Sequence, residues 1–522
     1  MFGLRSEVCI LVFTLTALPA HGGTSELYGE RGEQWDALGR LPDFSYAGLE
    51  GTGAPVPTVD VAQTVTDFGA IGDGETDDTM AIQAAIDATT NGALLFPTGR
   101  YRITKPLYIS KSNVVLRGMG RDETEVFVDA SLQDVLGENQ VWSWNGGFIW
   151  VRPDDAPQSI TTIQQSAARG DRTLAVEDTT GMTPGQRIVL SLRDETGGLG
   201  LAMHNGLAEA GTCSWQVPLT FDWPVTVQEV SANAVTLSQP LRIPLDVSWQ
   251  PRILSAPFLS GVGLESMTIA FPETEYAGHL NEPGYNAIFF EGGVADSWVK
   301  DVRIVHSDNG VLFDRLSKNL TVDDLILSGR VGHHGLNIAF TADSLFSSIH
   351  WEADFIHDFT FDHRSSGNVV ERATSAGLRL SLDHHRDGSH ENLFTEFFAE
   401  TDFWSGGSQC AGPAAGARQT FWNMDSGFLK PPWARIQANI VGDTASDVVL
   451  SPEEEWIEPV ADLVPVNLYR EQRAQRLGLD STVPNKPTEP EPTGNRCSTV
   501  SAIGSVWVFL SVVLWRNRRT HA

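Results

Sequence analysis

The chain has 522 residues and carries 66 acidic against 36 basic side chains, a formal charge of −30. That balance repels nucleic acid and anionic lipid surfaces, so neither is an expected partner. The length fits one large repetitive body with an accessory module.

In chain order, residues 1–22 read as an export signal. Arg5 is followed by an apolar run from Val8 to Leu18 and small residues around Ala20. Residues 23–60 form an arm with scattered aromatics, Tyr28, Trp35, Phe44 and Tyr46. Residues 61–158 hold a cap and the first coils. Thr64–Phe68 reads as a strand, and Gly69–Gly74 as a tight turn where positive φ is wanted. Asp77 or Asp78 can cap a helix over Thr79–Thr90, whose apolar residues Met80, Ile82, Ala85 and Ile86 share one face. Short strands follow at Ala93–Phe96, Tyr101–Ile103, Leu107–Ile109 and Val114–Leu116. A helix leading into short strands plugs the open end of a coiled sheet against edge pairing.

The segment DFGAIGDGETDDTMAIQAAID followed by FPTGRY closely resembles the N-terminal signature of the pectate-lyase-like superfamily. The resemblance implies an all-β fold, a right-handed parallel β-helix with an N-terminal capping helix. It leaves the reaction open, because the superfamily holds hydrolases, lyases, epimerases and phage tailspikes. Within this motif Asp77 and Asp78 are expected to fix the helix start.

Residues 159–252 break the pattern and read as a small inserted antiparallel β module. Its strands are expected at Thr173–Val176, Arg187–Leu192, Val225–Val230, Ala234–Leu237 and Ile243–Val247. The loop Gly197–Pro218, with His204 and Cys213, is long enough to serve a function and could lie over a substrate groove. The main coils are expected over 253–450. Residues 451–479 hold a terminal helix over Pro465–Gly478, 480–496 a Pro/Thr/Glu-rich linker, and 497–522 a membrane or sorting tail. In that tail an apolar Val500–Trp515 precedes Arg516, Arg518 and Arg519, which predicts a membrane contact through the C-terminal helix. The expected location is an exported one, the bacterial periplasm or the cell surface and extracellular space, with the C-terminal tail as a candidate anchor. Export also permits a disulfide between Cys213 and Cys410.

The most informative stretch is Val302–Glu400. Segments start at Val302, Leu325, Ile349, Ala373 and Phe397, a spacing of 23 or 24 residues. A fixed period in the low twenties with β-rich residues means stacked coils. Nine of the thirteen histidines fall here. Stacking the coils by their starts places carboxylates and imidazoles from four rungs along one edge, neighbours being ~4.8 Å apart. The densest piece is LSLDHHRDGSHENLF, Leu380–Phe394.

Glycoside cleavage needs one protonated and one ionised carboxyl group. The catalytic candidates are therefore Asp383, Asp358 and Asp354 with His384, His333 and His334. Substrate contacts are expected from His357, His385, Arg386, Arg330, Glu391 and Trp404. Elimination instead needs a base beside a neutralised uronate, which His333, His334, His384 and Arg386 could supply. His/Asp clusters also suit metals, but no residue is assigned as a metal ligand and no cofactor is expected, calcium excepted if the chain is a lyase. Polygalacturonases carry Asn-Thr-Asp, Asp-Asp, Gly-His-Gly and Arg-Ile-Lys. Here Gly332-His333-His334-Gly335 is similar to a widened Gly-His-Gly and Asp323-Asp324 is an Asp pair, while the other two motifs do not occur. The reading reached is an exported enzyme acting on an acidic polysaccharide, hydrolase ahead of lyase, with a glycan-binding solenoid as the non-catalytic alternative.

Overall fold

In the computed structural model, Val302, Leu325, Ile349 and Ala373 stand in one hydrogen-bonded column of parallel strands. The structure describes residues 22–207, 217–377, 379–399, 415–424, 437–442 and 455–479, and the backbone of 403–404 and 429–430. The repeat read from the sequence is thus the rung of a parallel coil. Each turn gives one strand to a sixteen-stranded sheet and one to a nine-stranded sheet. The fold is an all-β parallel β-helix.

The reason lies in which residues face inward. Val302, Ile304, Leu325, Leu327, Ile349 and Trp351 are buried and belong to one continuous core with Phe313, Phe346, Phe359 and Phe361. Each buried aliphatic or aromatic side chain contributes roughly 1.5–3 kcal/mol relative to exposure. Every rung also bends at the same place. Asp301, Asp324, Ser348, Arg372 and Glu396 all have φ between 55° and 60°. Asp324 is therefore a bend residue, and its place in an Asp pair follows from the coil geometry. Polar ladders hold the corners: Asn309 Nδ2 donates to Asn286 Oδ1 at 2.7 Å, and Asn368 Nδ2 to Asn392 Oδ1 at 2.9 Å.

The N-terminal cap differs in detail from the sequence reading. The strand is Val61–Thr64, and Val65–Phe68 forms a 3-10 turn closed by Gly69 at φ 95°. The helix spans Thr79–Ala88 and buries Ile82, Ala85 and Ile86, whereas Met80 is exposed. The two aspartates divide the work. Asp78 accepts from Ile71 N and Gly72 N and so closes the glycine turn. Asp77 accepts from Thr79 N at 3.1 Å and from Thr104 Oγ1 at 2.7 Å, tying the helix start to the next coil.

Between the early and main coils a six-stranded antiparallel sheet is inserted, its strands running from Gln158–Thr162 to Arg252–Ser255. Ile243–Val247 is not a strand. Only a single bridge joins Ala167 and Leu245, and Val247 starts a 3-10 turn. The sheet docks through buried charge. Arg242 pairs with Asp343 and Glu391, and Lys318 pairs with Asp343 while lying 5.3 Å over the Trp223 ring. Glu391 also accepts from Arg169 at 3.0 Å and Arg418 at 2.8 Å.

The arm at 23–60 packs on the body. Phe44 N donates to Gln472 Oε1 and Gln472 Nε2 returns a bond to Pro42 O, tying the arm to the terminal helix Leu468–Leu477. Among the described residues no helix is long and apolar enough to cross a membrane. The export signal, the C-terminal tail, Cys213, Cys410 and the side chain of Trp404 lie outside the described residues.

Candidate active site

Four strands of the nine-stranded sheet build the site: Asn309–Phe313, Gly332–Ala339, Phe355–Asp362 and Leu380–His384. Asn309, His334 and His357 share one register position. The next site column is Asn337, Thr360 and Asp383. Two glycines let the strands come together. A Cβ on Gly332 would lie 2.4 Å from the Phe355 ring, and one on Gly335 would lie 2.6 Å from Asp358 O and 2.9 Å from Trp351 Nε1. The Gly-His-His-Gly segment is thus a packing requirement that delivers two imidazoles to the site.

The imidazoles form a stack. Ring centroids of His333 and His334 are 4.0 Å apart, and those of His334 and His357 are 5.1 Å apart. His279, from the loop before Asn286, stands edge-on to His333 at 4.7 Å. Asp383 closes the group: its Oδ2 lies 3.0 Å from His357 Nδ1 and 3.1 Å from His385 Nδ1. Burial opposes the charge on Asp383, but the two imidazoles outweigh it and hold the carboxyl down to about 2. Burial would lower His385; its bond to Asp383 and the charge of Asp362 outweigh that and raise it. Burial and the neighbouring rings push His333 down to about 3, His334 well below its ordinary value, and His279 lower as well. The group is therefore an ionised carboxylate among mostly neutral imidazoles. His334 Nδ1 is 2.8 Å from Thr360 Oγ1, which fixes its ring.

A second layer lies behind. Asp308 Oδ1 accepts from Arg330 at 2.7 Å, and its Oδ2 accepts from the backbone of Gly284 and Tyr285. Glu282 accepts from the Tyr276 hydroxyl, and its Oε1 is 3.4 Å from His333 Nδ1.

The structure brings together His333, His334, His357, Asp383 and His385, with Arg330 one step behind. It sends the others elsewhere. His384 alternates with its neighbours along the strand and turns inward, its ring 5.7 Å from both Phe361 and Phe394. Asp358 is buried with its backbone packed against Gly335; its Oδ2 accepts Ser381 N at 2.6 Å, and burial raises its carboxyl. Asp354 is exposed at the turn before its strand. Glu391 is a buried anion in the arginine cluster that docks the inserted sheet. Arg386 is half-exposed beside His385, its Nε 3.6 Å from Asp362. His204 is buried, its Nε2 2.9 Å from Ala415 O, so this part of the long loop serves packing. Sequence reasoning did not select His279 or Glu282. They come from an irregular loop outside the repeat, so periodicity carried no signal for them.

A family profile described as rhamnogalacturonase A/epimerase, pectate lyase-like, matches residues 63–142. The chain folds as a parallel β-helix, and its N-terminal segment is similar to this pectate-lyase-like profile. Mannuronan C5-epimerase AlgE5 of Azotobacter vinelandii is 47% identical over 83 residues, which cover 14% of this chain and 8% of that protein. Alginate lyase 7 of the same organism is 48% identical over 71 residues, covering 12% and 8%. Less than a tenth of either relative is spanned. The tailspike protein gp49 of Pseudomonas phage LKA1 aligns over 75% of this chain and 68% of its own, at 13% identity and a TM-score of 0.43. The profile match ends at residue 142, before every histidine of this β-helix's site.

Proposed function

We propose that this β-helix acts on an acidic polysaccharide by removing the proton next to the carboxylate of a uronate residue, with β-elimination as the outcome. The observation that carries this reading is the His385–Asp383 pair, in which an ionised, buried carboxylate accepts from Nδ1 of a half-buried imidazole. Such a carboxylate fixes the tautomer and leaves Nε2 as the base. His385 Nε2 takes the C5 proton, the C4–O glycosidic bond breaks, a C4=C5 double bond forms, and the leaving oxygen is protonated. Arg386, adjacent and half-exposed, is placed to offset the uronate charge. The hydrolase reading needs a protonated carboxyl beside the ionised one. Among the described residues, the charged or ionisable partners within ion-pair reach of Asp383 are imidazoles.

The relatives named as a mannuronan epimerase and an alginate lyase support the same first step. The test is incubation of the purified chain with a panel of uronate polysaccharides, alginate and pectate among them. Ultraviolet absorbance from unsaturated uronate is the expected result. Deuterium uptake at C5 without chain cleavage would keep the proton abstraction and replace elimination with epimerisation. New reducing ends with neither signal would replace the reading with hydrolysis.

A further inference from the structure

A feature that proton abstraction does not use is the set of unsatisfied nitrogens beside the pair. His333 is 2% exposed and His357 8% exposed. His333 Nδ1 and His357 Nε2 are buried without a hydrogen-bond partner, while His357 Nδ1 stands 3.0 Å from Asp383 Oδ2. Buried polar atoms are nearly always satisfied, and an orphan asks for an explanation such as a water or an ion. Two of these residues meet a third imidazole here. One ring nitrogen each from His279, His333 and His357 lies within 4.8 Å of the other two.

We propose that His279, His333 and His357 form a divalent transition-metal site of the zinc class, open to solvent on the His279 side. Three imidazoles with a free position form a donor set that such ions accept, whereas calcium and magnesium prefer oxygen donors. Nitrogens around one zinc ion stand about 3.4 Å apart, given Zn–N near 2.0–2.1 Å. The exposed His279 on its loop has the freedom to close the remaining distance. The surrounding groups fit as well. His333 is hydrogen-bonded to the carbonyl of Ser143, which fixes its tautomer. Asp383 Oδ2 stands 3.0 Å from His357 Nδ1, the carboxylate behind a ligand imidazole that tunes such sites. Glu282 stands 3.4 Å from His333 Nδ1, and its buried Oε2 is also unpartnered, so negative charge is at hand to offset the cation.

An overlapping triad, His357, Asp383 and His385, also satisfies the spacing. There Asp383 and His385 already satisfy each other, so the partnerless His333 Nδ1 and His357 Nε2 favour the first triad. The inference does not depend on the reaction proposed above, because its readout is metal binding.

The test uses the purified full chain, stripped with a chelator and titrated with zinc chloride in a calorimeter. Saturable binding of one zinc per chain is expected, and cobalt(II) in its place should give visible absorption of a nitrogen-ligated, low-coordinate ion. His279→Ala removes an exposed side chain, so the fold is retained; it should weaken zinc binding by more than about 100-fold. Asp383→Asn should weaken it by about 10–100-fold, the range for a group behind a ligand. No saturable binding to the wild-type chain overturns the proposal. So does binding unchanged in His279→Ala, including binding that His385→Ala abolishes, which would place the ion in the other triad.

Discussion

The Nδ1 of His385 lies 3.1 Å from Oδ2 of Asp383, two residues earlier on the same strand edge. Alternation along the strand turns both outward and sends His384, between them, against Phe361 and Phe394. The pair is thus made by strand geometry, and the stacked rungs beneath it supply His357 to the same oxygen.

If the pair works as acid–base apparatus, His385→Ala should lower kcat by roughly 10²–10⁴, the usual contribution of a positioned base. Asp383→Asn should also lose activity by misorienting the ring. His384→Ala is the contrast: it opens a core space and should lower stability more than it lowers kcat. Turnover on a uronate polymer, measured beside thermal melting, separates the two; equal kcat in His385→Ala and wild type sinks the base assignment.

Gly335→Ala should damage both fold and site. Its Cβ would meet the Asp358 carbonyl at 2.6 Å and Trp351 Nε1 at 2.9 Å, so the strand must shift. Overpacking of this kind costs about 1–3 kcal/mol. The shift falls next to His334, so activity should fall even where the variant stays folded. A urea midpoint equal to wild type would contradict this packing account.

Glu391 is buried among Arg169, Arg242 and Arg418. Glu391→Gln leaves two buried arginines and the part-buried Arg169 short of their anion and should destabilise by about 3–5 kcal/mol. The inserted sheet should loosen first, since Arg169 and Arg242 belong to it. Hydrogen exchange across 159–252 and the urea midpoint report this; an unchanged midpoint would mean the cluster adds nothing to docking.

Acid should weaken the same region before it titrates the carboxylates. Burial holds His204 and His390 down to about 4 in the folded chain, from 6.5. His204 is flanked by Ala415 O and His390; His390 is flanked by Glu391, Arg418 and Arg242. The unfolded chain binds the extra protons, so stability is full above pH 6.5 and falls as pH drops toward about 4. Each histidine contributes at most about 3 kcal/mol. Glu391, held down to about 2, adds loss between 4.5 and 2. Urea midpoints at falling pH should drop through the first window in wild type and less in His390→Phe.

The sequence by itself determined the rung. A period of 23 or 24 residues, inward aliphatics and a cap with Asp77 and Asp78 are local patterns, and parallel stacking admits one register for them. It also marked His333, His334, His357, Asp383 and His385, because equivalent rung positions become neighbours. Only the tertiary structure decided which way each side chain turns. Asp358 turns to the backbone of Ser381, while His357, next to it in sequence, faces Asp383. Loops outside the repeat decided the rest: His279 and Glu282 reach the cluster across the fold, and Glu391 leaves it for the buried arginines. Periodicity governs backbone pairing, while side-chain destination depends on bends, alternation and long-range contacts that no single stretch encodes.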